Sequence, residues 1–583
     1  MRRTKIVCTI GPASEDISIV KELLLNGMNV ARLNFSHGTL EEHGQRIATV
    51  REASQETGIP VAIMMDTKGP EIRMGLIQDG RAVLQEGEQL IFTTEEVLGT
   101  KERVSIGYKG LPADVRPGDK ILVDDGLISL TVQGVEGTEI YCLVENGGEI
   151  SDRKKLNLPG VTLNIPSLTP KDIEDITFGV NAGVDFIAAS YVRSAADIIG
   201  IRRVLEELGA DIEIIAKIEN RQGVLNIDEI INVADGVMVA RGDLGVEIPV
   251  EEVPLVQKSL IDKCNRAGKP VIIATQMLDS MMRNPRPTRA EASDVANAIL
   301  DGTGAIMLSG ETASGKYPVE AIKTMARIAE YTEESLQGKH ISHEWTSGIA
   351  NTTTEAIAHA TCDVAHSLKA AAIITATQSG STAQKVSKYR PSTPIIAVTP
   401  FEKVLRKLLI VWGVYPLQSG IYESTNELME TSIQTALQAG YIKTGDLVVI
   451  TAGVPVGIPG STNLIQVETV SEVLAKGTGV GRYSQTGKVV VARSGQEAIE
   501  KVQQGDILVT VSTDREYIPA LEKAAGIITE EGGLTSHGAV TGLFLEIPVV
   551  VGVENATSIF TDGEMVTLDT ARGLILRGKI KHL

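Results

Sequence analysis

Short runs of branched apolar residues, each closed by polar ones, alternate with amphipathic stretches along this chain. TKIVCTI, VARLNFSHG and VAIMMDTKG come first, separated by EDISIVKELLLNG and TLEEHGQRIATVREASQETG. Such apolar runs predict strands buried on both faces, and the stretches with helical spacing predict the helices that cover them. The rhythm stops at about Glu71. As far as Pro166 the chain runs in alternating, glycine-punctuated segments (LIFTTEE, RVSIGYKG, KILVDDGLISLTVQGVEGTEIYCLVENGG), which predict a small all-β module. It resumes with KDIEDITFGVNAG, and then DFIAASYVR, EIIAKIEN, DGVMVARGD, PVIIATQML and AIMLSGETA follow with helical spacers. Counted across the interruption the strands number eight, which closes a (β/α)8 TIM barrel in the α/β class.

Four modules are therefore expected: a barrel over 1–70 and 167–345, an inserted β-barrel lid over 71–166, an α/β domain over 346–473 and a last β/α module over 474–583. The third begins with TTTEAIAHATCDVAHSLKA and continues through AAIITATQ, SGSTAQKVSKYR, PIIAVTP and DLVVITAG. A glycine-rich joint, KGTGVGRYSQTG, leads into the fourth.

Composition narrows the classes without choosing among enzymes. The chain has 583 residues, 43% hydrophobic, with 74 Asp plus Glu against 55 Lys plus Arg. No basic cluster of the kind that grips nucleic acid or anionic lipid stands out. Cys8, Cys142, Cys264 and Cys362 lie far apart without CxxC or Cys/His spacing, which argues against a zinc site or disulfide framework and fits a reducing cytoplasm. The N-terminus, MRRTKIVCTIGPAS, lacks a signal-like apolar core, and no run reaches membrane-spanning length.

In a barrel of this kind chemistry gathers at the C-terminal tips of the strands, which here carry Arg32, Asn34, Ser36, Asp66, Lys217, Glu219, Asp243, Thr275 and Ser309. Lys217 and Glu219 stand two apart on one strand and so share a face. With Asp243 they suit a divalent cation beside a phosphorylated anion, although a structural salt bridge would read alike. Asn34, Ser36, Asp66 and Thr67 offer oxygens with too little charge for a tight divalent site, which suits a monovalent cation; the same residues also serve as ordinary loop caps. Arg32 and Arg73 can both address a phosphate or simply form ion pairs. In RGDLGVE, read as a turn, the amides of Gly242 and Asp243 can bind a carboxylate. Further on, Ser379, Gly380, Ser381 and Thr382 open a helix after Thr375, a ready anion site that an N-cap with a glycine turn would equally explain.

Taken together, TKIVCTIGPAS, ARLNFSHG, DTKGPEIR, KKLNLPG, AKIEN with RQGVLNIDEI, VARGDLGVE, ATQMLDSMMRNPRPTRAEASDVANA and DGTGAIMLSGETASGKYP resemble the pyruvate kinases, in that family's order, from Thr4 to Pro318. The resemblance implies an allosteric glycolytic enzyme, a cytoplasmic homotetramer that makes pyruvate and ATP from phosphoenolpyruvate and ADP. It makes Glu219 and Asp243 the Mg²⁺ ligands, Asn34, Ser36, Asp66 and Thr67 the K⁺ ligands, and Lys217 a stabiliser of the phosphoryl group in flight. Glu71 is the family's marker for K⁺ dependence, since members with lysine there carry a built-in cation. Arg32, Gly242, Asp243 and Thr275 would hold the three-carbon acid, and Asn34, Arg73, Lys154 and His37 the nucleotide. Thr275 and Ser309 would guide the water that protonates enolpyruvate. Thr375 with Ser379, Gly380, Ser381 and Thr382 resembles the effector-phosphate loop; the companion loop, TAGVPVGIPGST, lacks the Trp and Arg that accompany fructose 1,6-bisphosphate, which favours AMP or a sugar monophosphate.

The last module, with GIITEEGGLTSHGAVTGLFLEIPVVVGVENAT, resembles the phosphohistidine swivelling domain of phosphoenolpyruvate-using enzymes, and His537 stands at the phosphorylated position. The arginine expected some six residues on is Leu543, followed by Phe544 and Glu546, which points to a retained fold. A dikinase-like phosphotransferase working through His537 is the alternative, and a non-catalytic regulator a third. The complete set of barrel motifs argues against both.

Overall fold

The computed structural model describes residues 1–336, 352–421, 424–454, 462–481 and 484–578. The expected joint between barrel and α/β domain, at 345 and 346, lies outside them, as does most of the companion loop.

Eight parallel strands close a barrel: β1 (Lys5–Thr9), β2 (Val30–Asn34), β3 (Ala62–Asp66), β4 (Phe186–Ala189), β5 (Glu213–Ile218), β6 (Gly236–Ala240), β7 (Val271–Ala274) and β8 (Ala305–Leu308). Each pairs with its neighbours in sequence order, and β8 returns to β1 through Lys5↔Ala305. Residues of one parity (Ile6, Cys8, Leu33, Ile63, Ile214, Ile273) join the core under the surrounding helices. The other parity points into the barrel. On β1, β2, β3 and β5 it reads Lys5, Val7, Thr9; Val30, Arg32, Asn34; Ala62, Met64, Asp66; and Ile215, Lys217, so polar groups gather at one end of an apolar column. Helices begin where the sequence supplies caps: the Thr39–Glu42, Thr169–Asp172 and Thr288–Glu291 pairs each form a capping box.

Between β3 and β4 the chain builds the β module. Seven strands, in the order 72–73, 155–157, 120–123, 128–136, 139–146, 89–93 and 103–105, surround a core that includes Leu90, Phe92, Ile121, Leu130 and Ile140. Its edge strands meet through the Met74↔Ile106 bridge, and the Gly75 N–H donates to the Ser105 carbonyl at 2.8 Å, so the sheet curls towards closure.

Strands Val414–Gln418, Ile395–Thr399, Ala372–Ala376, Leu447–Gly453 and Thr462–Thr469, in that order, form the five-stranded sheet of the α/β stretch. The last stretch has an eight-stranded sheet in the order 473–476, 574–577, 565–569, 484–491, 507–510, 526–529, 549–551 and 478–480. Apolar clusters lie on both of its sides, one holding Leu508, Ile527 and Val549, the other Val509, Val550 and Leu568. By compactness the chain divides into a unit of Met1–Cys362, Thr375–Ile421 and Ala452–Asn463 and a unit of Asp363–Ile374, Tyr422–Thr451 and Leu464–Leu583.

Candidate active site

At the polar end of the barrel a buried ion network joins three strands. Lys217 Nζ donates to Asp66 Oδ1 at 2.9 Å and to Ser190 Oγ at 2.7 Å, and lies 2.9 Å from Glu219 Oε1. Arg32 Nε donates to Asp66 Oδ2 at 2.6 Å, and its Nη1 to Thr9 Oγ1 at 3.0 Å. Burial alone would raise the Asp66 pKa, but Arg32 and Lys217 outweigh it and hold the carboxylate below its ordinary range. For Lys217 burial works towards neutrality, and Asp66 with Glu219 overcomes it, so the ammonium stays charged. Glu219 is driven the opposite way: its burial, together with the Asp243 charge, raises its pKa in spite of Lys217. A buried carboxylate with that bias gains from an added cation.

Asp243 stands across the rim, on the first turn of a helix, Arg241–Glu247, where a turn was expected. This helix follows β6 directly, with no side-chain hydrogen bond at its Ala240 cap, and closes with the Ile248 N–H donating to the Leu244 carbonyl at 3.0 Å. Lys155, from the β module, pairs with Asp243 Oδ1. Its Nζ also lies 4.7 Å from the centre of the Tyr191 ring. Tyr191 takes a left-handed backbone, φ 56°, and its N–H donates to Glu219 Oε2 at 2.7 Å. Among the described residues no group of three or more His, Cys, Asp or Glu is arranged to enclose a metal. Two carboxylates, each facing an ammonium, instead suit a divalent cation that completes its shell with substrate oxygens.

Gly242 packs against Thr275 so closely that a Cβ would sit 2.7 Å from the Thr275 Cγ2. Thr275 itself has φ 73°, rare for a β-branched residue, and its carbonyl accepts from Arg241 Nη2 at 3.0 Å. Asp294 holds Arg241 in turn, through a 2.8 Å bond to Nη1.

This rim, a buried lysine between carboxylates beneath a β lid on a (β/α)8 barrel, sits within sequence that matches known families throughout. "Pyruvate kinase, barrel domain" matches residues 1–322, "Pyruvate kinase, alpha/beta domain" 355–468, and "PEP-utilising enzyme, mobile domain" 502–573. The pyruvate kinase of Geobacillus stearothermophilus is 58% identical over 580 residues, 99% of either chain. The chain belongs to the pyruvate kinase family. The Bacillus licheniformis pyruvate kinase is 55% identical over 586 residues, the whole of both chains. A crystal structure of a pyruvate kinase from Cryptosporidium parvum superposes with a TM-score of 0.77 at 41% identity, covering 80% of this chain and 96% of that one. Pyruvate kinases in general require a divalent and a monovalent cation.

Within this pyruvate kinase frame, Arg32, Asp66, Lys217 and Glu219 make one connected group, and Gly242, Asp243 and Thr275 a second. Thr67 borders the first: its hydroxyl donates to the Ala188 carbonyl at 3.3 Å and accepts from the Ser190 N–H at 3.1 Å. Asn34 Oδ1 accepts from the Ser36 N–H at 3.2 Å. Arg73 is turned to Glu71, 2.7 Å away, and Lys154 to Asp124, 2.6 Å away. His37 offers its carbonyl to His43 Nε2 at 2.9 Å. The Ser309 N–H donates to Glu311 Oε2 at 2.7 Å. In the α/β stretch Gly380, φ 86°, precedes the helix Ser381–Lys388; the Gly380 N–H donates to Thr377 Oγ1 at 2.9 Å, and Thr382 Oγ1 lies 2.6 Å from Thr462 Oγ1. His537 opens the helix His537–Leu545, with Nδ1 3.1 Å from Thr513 Oγ1.

Three participants escaped sequence reasoning. Ser190, which bridges Lys217 and Asp66, continues the inward parity of DFIAASYVR by one step beyond β4, so strand alternation carried the signal. Lys155 adjoins the singled-out Lys154 and points to the other face, towards Asp243. The backbone role of Tyr191 left no mark in the residue string.

Proposed function

We propose that the rim transfers the phosphoryl group of phosphoenolpyruvate to ADP, with Mg²⁺ held by Glu219 and Asp243 and K⁺ by Asn34, Ser36, Asp66 and Thr67. The observation that carries this reading is the charged Lys217, buried and fixed by Asp66, Ser190 and Glu219. A fixed ammonium costs no reorganisation when charge develops on the transferring group. The divalent cation, when bound, neutralises charge shared between the phosphoryl group and the oxygens of the acid. Arg32 and Arg73 address phosphates; the Gly242 and Asp243 amides with Thr275 orient the carboxylate of the acid. The bond from phosphorus to the enol oxygen breaks as the bond to the ADP terminal oxygen forms. Enolpyruvate then takes a proton at carbon from water beside Thr275 and Ser309. Lys154, Asn34 and His37 border the nucleotide.

A coupled assay for pyruvate from phosphoenolpyruvate and ADP, with and without Mg²⁺ and K⁺, tests the whole reading. Full activity without Mg²⁺ contradicts the metal assignment. Unchanged proton exchange into pyruvate in Thr275→Ala contradicts the proton route.

The wider assignment is a cytoplasmic homotetramer of four modules, 1–70 with 167–345, 71–166, 346–473 and 474–583. Its effector loop, Thr375 with 379–382, takes AMP or a sugar monophosphate at the start of the helix Ser381–Lys388. The last module is a retained fold with a regulatory or packing role. Incubation with labelled phosphoenolpyruvate leaves no acid-labile phosphate on His537 under this reading.

A further inference from the structure

One side chain clamps the loop between β2 and the helix Leu40–Thr57. His43, on that helix, is only 2% exposed. Its Nε2 lies 2.9 Å from the His37 carbonyl, and since a carbonyl can only accept, Nε2 carries the proton and donates. The ring face stacks on Phe35, with centres 4.0 Å apart and planes within 10° of parallel. Phe178, from the helix Pro170–Asn181, tilts against the same Phe35 ring at 6.1 Å. One imidazole therefore grips the residues on either side of Ser36.

Packing alone does not ask for a histidine at this place. His43 Nδ1 is buried with no hydrogen-bond partner among the described residues. A phenylalanine or leucine would fill comparable space without that orphan, so the buried nitrogen is tolerated for the sake of the Nε2 bond. Burial lowers the His43 pKa, the His37 carbonyl opposes it, and Arg46 and Lys171 add to the lowering, so the ring stays neutral with a single donor.

The clamped loop carries oxygen donors at its centre. The Phe35 N–H donates to the Asp66 carbonyl at 3.0 Å, and Asn34 Oδ1 accepts from the Ser36 N–H at 3.2 Å. Asn34 lies beside Asp66 in the barrel, so the side chains of Asn34, Ser36, Asp66 and Thr67 come from two neighbouring strand tips. They hold one formal negative charge among four oxygen-bearing groups, which fits a monovalent cation better than a divalent one. Such weak ligands bind well only when their spacing is set in advance, because a loose loop must be ordered at the expense of binding.

We propose that His43 is a positioning residue for the monovalent cation: by gripping Phe35 and His37 it fixes where Ser36 stands relative to Asn34 and Asp66. His43 itself offers the ion no oxygen. The proposal rests on the assignment of K⁺ to Asn34, Ser36, Asp66 and Thr67.

The test uses the full chain without substrates, titrated with KCl at an ionic strength held constant by tetramethylammonium chloride. The dissociation constant for K⁺ is read from the rise in thermal midpoint. His43→Phe keeps a stacking ring and loses the donor, whereas His43→Gln places an amide N–H close to the position of Nε2. Binding should weaken about fivefold to tenfold in His43→Phe and stay within about twofold of wild type in His43→Gln. In the coupled assay the K⁺ concentration for half-maximal rate should rise by the same factor, with little change in kcat at saturating K⁺. A residue serving packing alone would lower every midpoint and leave the dissociation constant where it was. His43→Asn, too short to reach the His37 carbonyl, gives the same comparison should His43→Phe not fold. An unchanged constant in the donor-less variants, or His43→Gln as weak as His43→Phe, would overturn the role of His43 alone. A wild-type midpoint indifferent to K⁺ would overturn the cation assignment and this role with it.

Discussion

Lys217 is held by three oxygens from three strands or their tips, and this over-determination is what makes it useful. Lys217→Met should lower kcat by about 10²–10³, the cost of losing one pre-organised charge, with the melting temperature as the check that the fold persists. Asp66 is different: it neutralises both Arg32 and Lys217, so Asp66→Ala strands two buried cations and should cost about 3–5 kcal/mol in urea unfolding besides activity. At Gly242 an added methyl meets the Thr275 side chain. Gly242→Ala should therefore raise the KM for phosphoenolpyruvate more than that for ADP, and equal changes in both would contradict the carboxylate role. Glu71 sits 2.7 Å from Arg73, and the proposed K⁺ requirement should vanish in Glu71→Lys, measured as activity in K⁺-free buffer against wild type. Polar residues that break an apolar run, such as Lys217 and Asp66, were legible because nothing in packing calls for them. Ser190 and Lys155 were not, since a serine after a strand and a lysine in a basic pair are ordinary until the fold gives them partners.

At the scale of elements, strand alternation carried most of the site, because one parity of each barrel strand becomes the inner column. The same column explains an oddity at the other end of β1. Lys5 is buried there, its Nζ donating to the Val414 carbonyl at 2.5 Å and lying 4.9 Å from the centre of the Tyr415 ring. Burial, assisted by Arg2 and opposed by Glu333, lowers its pKa from 10.5 to about 7. Between those two values the unfolded chain binds the proton and the folded chain does not, so stability rises with pH across that window, by at most about 1.4 kcal/mol per unit from this group. Urea midpoints measured from pH 7 to 9 should climb in the wild type and flatten in Lys5→Met. Two local elements were misjudged: in RGDLGVE two glycines suggested a turn, but the segment after β6 winds as helix, and KGTGVGRYSQTG, expected as a joint, supplies the strand Thr478–Val480 and the start of Ser484–Val491 in the last sheet, so in both tertiary placement outweighed propensity.

For the whole molecule, the eight-stranded barrel was readable across a long interruption because β3 and β4 keep the same both-sides-buried pattern on either side of it. The last module was readable as a swivelling-type fold from its GIITEEGGLTSHGAV stretch, and its strands from 473 to 577 share one sheet with apolar clusters on both sides. A fragment beginning at residue 472 should accordingly fold alone, giving a cooperative thermal transition by circular dichroism; a featureless melt would tie its folding to the rest of the chain. The division of the α/β stretch between two compact units was not legible, since periodicity reports elements and not which of them cohere.

The β3–β4 seam carries a cost in time. Met64 and Asp66 lie beside Phe186 and Ala188, and the Thr67 N–H donates to the Ala188 carbonyl at 3.0 Å, yet roughly 120 residues separate the two edges along the chain. Loop closure grows only logarithmically with length, so the insertion is cheap at equilibrium. Its penalty is kinetic: every other neighbouring pair along the barrel up to β8 is joined by a nearby connection, whereas this seam waits for the β module to collapse and draw its ends together. The β3–β4 seam should thus form after the locally connected pairs, and pulse-labelled exchange during refolding should find the amides of Asp185 and Thr67 protected later than those of β6 and β7.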